Sequence, residues 1–381
     1  MRNLLWLLLI PLCMGCIWDR DTLKEEGKGR MEAVKVIVGW FDRYPPEYYE
    51  ARLERVFKEL ETKPEDLSLY NDAGVALDRL HRSDEAIAVM ARKKAVMTKL
   101  EGKASAETLW EHQYRYLANL GTFYAHRWIG RKEEVRNADL SDLAKAEELI
   151  AAAIEHNPDA HFGREKYQLL AIQWLQKVPK GDGIGGPLGD PYELKKSEEA
   201  LEGFLGMIKL GSAWESTDFF NTVGELLMAE KRAVLALAAV LRVEELQKAG
   251  RGSLHPHEGE IGFYIRSQAA SGYQKDVEPW FQEARQAADQ RQESRWIYLR
   301  RGLAEGRHPD TDPDFWNGWK EPKFPSLPGM SPLQFISSPE GITLALITVV
   351  ILLIFLWIIS ALRRRRKKRR LESIKVVGLQ S

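Results

Sequence analysis

Ile342 to Ala361 (ITLALITVVILLIFLWIISA) is 20 residues without a charge, and after Leu362 comes RRRRKKRR at Arg363 to Arg370. As a helix rising about 1.5 Å per residue, the apolar run is ~30 Å long, the thickness of a bilayer's hydrocarbon core. A basic block this dense resists translocation, so it is expected to stay in the cytoplasm with everything before the helix on the other side. The block is also suited to anionic lipid headgroups. The expected protein is thus single-pass in the cytoplasmic membrane, with an extracytoplasmic main domain, a transmembrane helix over 342–361 and a basic cytoplasmic tail over 362–381.

The N-terminus agrees with that orientation. Arg2 supplies a charged start, Leu4 to Leu12 is a short apolar region, and small Gly15 precedes Cys16. The apolar region is too short to span a membrane, so residues 1–16 read as a signal peptide. Leu12-Cys13-Met14-Gly15-Cys16 resembles the cleavage box of bacterial lipoproteins, which implies lipidation of Cys16; Cys13 departs from the aliphatic residue usual at its position. Ordinary cleavage and an uncleaved anchor are the alternatives. Cys13 and Cys16 are the only cysteines, and a CxxC inside a targeting segment lacks the folded platform that redox chemistry needs. The exported part therefore has no cysteine for a disulfide or a thiolate site, and must stay folded by burial. With 44% hydrophobic content, it is long enough to do so.

The formal net charge of zero hides a segregation. Residues 362–381 carry +8 and Arg2 adds +1, so the remainder is at −9. Phosphate contacts need clustered basic charge, so the exported domain is not expected to bind nucleic acid.

Between the ends the dominant period is helical. Tyr49, Leu53, Val56, Phe57 and Leu60 fall on one face of a helix, and Trp280, Phe281, Ala284, Ala287 and Ala288 repeat the pattern near the other end. In NDAGVALDRLHRSDEAIAVMARK, Ala73-Gly74, Leu77, Ala86 and Met90 follow the spacing of two helices packed closely against each other. A second copy uses Leu120-Gly121, Tyr124, Ala146, Ile150, Ala153, Ile154 and Pro158, with about 13 residues inserted around Arg127 to Asn137. A third pair is expected from His161 to Gln176 and Leu194 to Ile208. A fourth follows Val223-Gly224, Leu227, Ala236 and Val240, and His257 to Gly306 can add a final pair with a capping helix.

These spacings resemble the tetratricopeptide-repeat family, whose unit of about 34 residues is a helical hairpin. The start of the exported chain, CIWDRDTL with Phe41-Asp42-Arg43 and Pro45-Pro46, also resembles uncharacterised bacterial envelope proteins carrying such repeats. The expectation is an all-α solenoid: capping helices over 17–63, repeats with insertions over 64–249, closing helices over 250–306, and a Pro-rich stalk over 307–341. A generic helical bundle is the alternative, since small residues occur at any helix crossing. The resemblance implies a concave surface lined by first helices and therefore a partner-binding groove containing Asn71, Val75, Asp78, Arg115, Asn119, Thr122, Asn221 and Glu225. Val75 and Ala118 stand where the clamp for chaperone C-terminal carboxylates needs Lys and Asn, which disfavours that ligand.

Chemistry is sparse. Gly181 to Asp190 is glycine-rich but lacks GK[ST] and a preceding strand, so it reads as a connecting loop rather than a phosphate cradle. His255, His257, Glu258 and Glu260 crowd a Pro-broken loop without the order of a known metal motif. No GxSxG elbow or Ser-x-x-Lys is present. No catalytic, cofactor or metal residues are assigned and an enzyme is not expected. The primary expectation is a membrane-tethered scaffold that binds a protein segment in its groove. The alternatives are an envelope hydrolase or cell-wall-binding enzyme using the Gly181 and His255 loops, and a structural subunit of a membrane complex.

Overall fold

A computed structural model describes residues 23–158, 164–181, 186–188, 197–210, 213–254, 266, 274–329 and 339–377. Cys16 with the whole N-terminal targeting segment, most of the Gly181–Asp190 loop, and the His255–Glu260 cluster lie outside the described residues. All regular structure among the described residues is helical. The body contains α1 (Leu23–Glu26), α2 (Met31–Val38), α3 (Pro46–Thr62), α4 (Leu67–Arg79), α5 (Ser83–Leu100), α6 (Ala106–Ile129), α7 (Glu133–Ala138), α8 (Ser141–His156), α9 (Arg164–Lys177), α10 (Ser197–Leu210), α11 (Thr217–Ala229), α12 (Ala233–Lys248) and α13 (Gln274–Ala304). A separate unit carries α14 (Pro339–Val377), while the body runs from Leu23 to Pro328.

Successive helices pack on one another from α3 to α6, then α6 on α8, α8 on α9, and so on to α12 and α13. Asp66 caps α4 by accepting from Ser68 N at 3.0 Å, and Ser105 and Ser216 cap α6 and α11 in the same way. The small residues sit at the crossings. A Cβ on Gly74 would lie 3.0 Å from Phe123 and 3.3 Å from Met90 Sδ, and one on Gly121 would lie 2.8 Å from Ile150. Ala73, Ala86, Ala146, Ala153 and Ala236 are fully buried. The insertion expected around Arg127 to Asn137 takes the form of a longer α6, which reaches Ile129, followed by α7, a short helix with no buried residue. On α3 the buried face is Tyr48, Leu53, Val56 and Leu60, and Phe57 is exposed.

The N-terminal residues do not simply cap the first hairpin. α3 packs on α4, but α1 and α2 join the opposite end: α2 touches α10, α12 and α13, and α1 touches α12. The cause is in the sequence MEAVKVIV. Ala33, Val34, Val36, Ile37 and Val38 are all at most 1% exposed, so α2 has no water-facing side large enough for a terminal cap. It forms one core with Phe204, Phe220, Leu235 and Phe281. Gly39, at φ +80°, turns the chain out of that core; a Cβ there would lie 2.5 Å from Trp214 Cη2. Because α13 also packs on α3, the run of helix contacts closes on itself.

The expected stalk is also part of the body as far as Pro328. Phe315 is fully buried beside Gly302, Phe324 packs edge-on against Trp40 at 5.1 Å, and Lys24 N donates to Pro328 O at 3.2 Å. The first part of the segment runs in successive turns, with Phe315 N donating to Asp312 O at 3.1 Å and Trp319 N to Trp316 O at 3.0 Å, and its aromatic side chains bury enough surface to hold it down. Of His257 to Gly306, where a final helix pair and cap were expected, Gln274–Ala304 is one helix, α13, of 31 residues, Arg266 is helical, and the rest of 257–273 lies outside the described residues.

Within α14, Ile342–Arg365 is long and apolar enough to cross a membrane, with a mean hydropathy of 3.2. Its apolar side chains, such as Ile351, Leu353 and Phe355, are exposed, and Thr348 Oγ1 closes onto Leu344 O at 2.7 Å. The helical backbone continues past Ala361 through the basic block to Val377.

Candidate functional site

The residues expected in the groove fall on α4, α6 and α11, and several are engaged between helices. Asn71 is buried, and its Oδ1 accepts from Lys93 Nζ of α5 at 2.7 Å. Asp78 is buried, sharing a contact of 2.7 Å with His126 Nδ1 of α6 and accepting from Ser83 Oγ at 3.3 Å. Thr122 Oγ1 donates to Ala118 O at 2.8 Å and accepts from Gln168 Nε2 of α9 at 2.8 Å, joining α6 to α9. Arg115 is exposed and pairs with Glu111 one turn away. Val75, Asn119, Asn221 and Glu225 are half-buried. Asn71 and Asp78 are therefore bound up in helix packing rather than offered to solvent, while Arg115, Asn119 and Asn221 keep a surface face.

Lys93 is the unexpected member of this set. Its side chain is wholly buried, and its ammonium nitrogen has two acceptors, Asn71 Oδ1 and His112 O at 3.0 Å. Burial, with a smaller repulsion from Arg115, pushes it down to about 7. His112 is nine-tenths buried, and its Nδ1 has no hydrogen-bond partner. Burial first, then Lys93 and Arg115, lower the His112 pKa below the ordinary histidine range, so its ring is neutral at pH 7.

His112 forms one wall of an open cleft of about 450 Å³ where the start of α4 meets the end of α5 and the start of α6. Glu65 and Asp66 are on its rim, Leu67 and Leu100 form apolar walls, and Lys103 is the one cation. Glu65 and Lys103 are exposed and Asp66 is half-buried. This volume is in the range of small-ligand sites, and the mixture of apolar wall and oriented polar atoms suits recognition rather than bond-making.

A second concentration of polar groups joins the two ends of the body. Asp42 accepts from Arg291 Nη2 at 2.8 Å and forms an ion pair with Arg295 Nη2 at 2.9 Å, and Glu321 accepts from Arg291 Nε and Trp40 Nε1. Arg291 lies between the rings of Trp40 and Trp319, at 5.5 and 5.4 Å, and Arg295 lies 3.6 Å from Trp316 and 5.0 Å from Trp319. Trp214 carries Arg242 at 3.8 Å and Arg43 at 4.4 Å. Burial, reinforced by the neighbouring Arg285, lowers Arg43 to about 10. Alternating cations and rings, desolvated and tied to carboxylates, fix geometry instead of presenting a reactive group. Periodicity points to this junction: Phe281, Ala284, Ala288, Arg291, Arg295 and Leu299 form one helical stripe, and its arginines are as buried as its apolar members.

Among the described residues, no group of three or more His, Cys, Asp or Glu is arranged to hold a metal ion. Comparison of the chain with protein-family models, with curated proteins and with solved structures gave no match.

Proposed function

We propose that this chain is a membrane-tethered helical-hairpin scaffold of tetratricopeptide type, which holds a protein partner on the extracytoplasmic side. The observation that carries the reading is the pairing of α4–α5, α6–α8, α9–α10 and α11–α12, with Gly74 and Gly121 seated directly against the next helix. Contact between the first helices α4 and α6 supports stacking of hairpins in one sense. Such stacking exposes first-helix side chains in a row; here Arg115 is exposed and Asn119 and Asn221 are half-buried. The apolar surface of Ile342–Arg365 and the basic block after it support a tether with a cytoplasmic tail. Binding by such a surface uses shape and polar matching and requires no covalent chemistry.

The test is purification of the full chain from its native membrane in mild detergent, with mass spectrometry of stoichiometric companions. Wild type is expected to retain a partner, and the double variant Asn119→Glu, Asn221→Glu to lose it while keeping its helical circular dichroism. Equal capture by both proteins would sink the groove assignment.

A further inference from the structure

Arg43, in the link between α2 and α3, carries a guanidinium that the body holds in place but leaves without an acceptor. Its main chain is locked: N donates to Gln292 Oε1 at 3.2 Å, and O accepts from Gln292 Nε2 and Trp296 Nε1 at 2.8 and 2.7 Å. Its side chain lies over the rings of Trp214 at 4.4 Å and Phe41 at 5.5 Å. Among the described residues the nearest carboxylate oxygen, Asp289 Oδ1, is 3.9 Å away, beyond hydrogen-bond distance, and no other acceptor reaches the guanidinium. The side chain is 20% exposed, and none of its unpartnered nitrogens is closed off from solvent. Trp214 also carries Arg242 at 3.8 Å and Arg285 at 5.3 Å, whose charges are met by Glu245 and Asp289. Three cations thus share two carboxylates around one indole, and the surplus positive charge falls on the one fork that is still free.

We propose that Arg43 is an open receptor for one carboxylate, presented as an acidic side chain of a partner peptide. An arginine fork with its nitrogens open matches the two oxygens of a carboxylate. A surplus of one charge suits a monoanion better than a doubly charged phosphate. Contact with two rings and a locked main chain already hold the side chain, so little freedom is lost on binding. Burial first, then Arg285, with smaller pushes from Arg242 and Arg291, outweighs the pull of Asp289 and lowers Arg43 to about 10; an incoming carboxylate would relieve that repulsion. Arg43 stands outside the first-helix row of Arg115, Asn119 and Asn221. Only the peptide source of the group rests on the scaffold reading; the recognition chemistry does not.

The experiment is chemical protection of the full chain in detergent at low, constant ionic strength, where an open charged site is least screened. Phenylglyoxal, which adds to accessible arginines, is the reagent, and modification of Arg43 is read by peptide mass spectrometry. The probes are acetyl-Gly-Gly-Glu-Gly-Gly-amide, the same peptide with glutamine for glutamate, acetate, and inorganic phosphate. The glutamate peptide is expected to slow modification of Arg43 saturably, by about threefold or more, and the glutamine peptide to leave it unchanged. Asp289→Asn removes the competing carboxylate, while Arg285 keeps its pairing with Glu245. This variant is expected to reach the same protection at a peptide concentration lower by about threefold or more. Protection by acetate without the peptide would support the same chemistry from a free carboxylate. An Arg43 that phenylglyoxal does not reach, no protection by either carboxylate probe, equal protection by the glutamine peptide, stronger protection by phosphate, or an unchanged Asp289→Asn midpoint would each overturn the proposal. Co-purification of a partner with an unprotected Arg43 would leave the scaffold reading standing. A protected Arg43 without a partner would do the reverse.

Discussion

Replacing Lys93 by Met should change how stability depends on pH, and the structure gives both sign and size. In the unfolded chain the amine is protonated below about 10.5, whereas in the folded body burial brings it to about 7. The folded state therefore binds fewer protons between these values, and stability rises with pH across that window. Below pH 7 both states carry the charge and the full penalty applies; above 10.5 it is gone. The gap corresponds to about 5 kcal/mol, with a slope approaching about 1.4 kcal/mol per pH unit inside the window. Methionine has nearly the same volume and no charge, but it leaves Asn71 Oδ1 without its donor, a loss of about 1–3 kcal/mol. The absolute difference at pH 7 is thus a partial cancellation, and the pH trend is the sharper readout. Urea unfolding of the full chain in detergent, followed by tryptophan fluorescence from pH 6.5 to 10, should show wild type gaining about 4 kcal/mol on Lys93→Met. Parallel stability curves for the two proteins would refute the placement of a buried amine held only by neutral acceptors at this position.

Arg295→Ala removes a buried partner of Asp42 and the cation on Trp316, and should destabilise the body by about 3 kcal/mol, read as a lower urea midpoint. The same variant should make the 315–324 segment the first site of limited proteolysis. Gly39→Ala forces a left-handed backbone onto a residue with a Cβ and drives that atom into Trp214, so it should cost at least about 1–3 kcal/mol. Gly121→Val should cost about 1–3 kcal/mol by forcing α6 away from Ile150 and Leu149, whereas Gly102→Ala, with open space around it but φ +77°, should cost less. For the tether, a protease added outside intact cells should digest the body and spare an epitope fused after Ser381; the opposite pattern would reverse the orientation.

The helices, their small-residue crossings and the apolar span were legible because each is a local pattern. Ala86, Met90 and Met97 follow the 3.6-residue period within one helix, and nothing distant is needed to see them. The same stripe contains Lys93, so its burial was readable from phase; a charge on such a face is more often assigned to solvent. The placement of α2 was not legible. Its eight residues announce that they must be buried but do not say by what, and the answer, α10, α12 and α13, lies far along the chain. The Pro-rich segment misleads for a related reason: proline reports local extension, while Phe315 and Trp316 find Gly302 and Arg295 only through the tertiary fold. The His112 cleft is assembled from three helix ends, and no spacing in the sequence links Glu65 to His112.

The seat of α2 also dictates a timetable. A chain that emerges from its amino end delivers Met31–Val38 first, yet the helices that cover it end with α13, which is complete only at Ala304. At ~5–20 residues per second, this greasy octapeptide waits roughly 10–50 s for its neighbours. Meanwhile α3 to α8 can already pair with nearby sequence. Half of the molecule can thus condense early, while the other half stays open around a missing central piece, held at the opposite end of the nascent chain. That interval is when a holdase would be needed, and when a truncation after α12 would be expected to aggregate rather than fold.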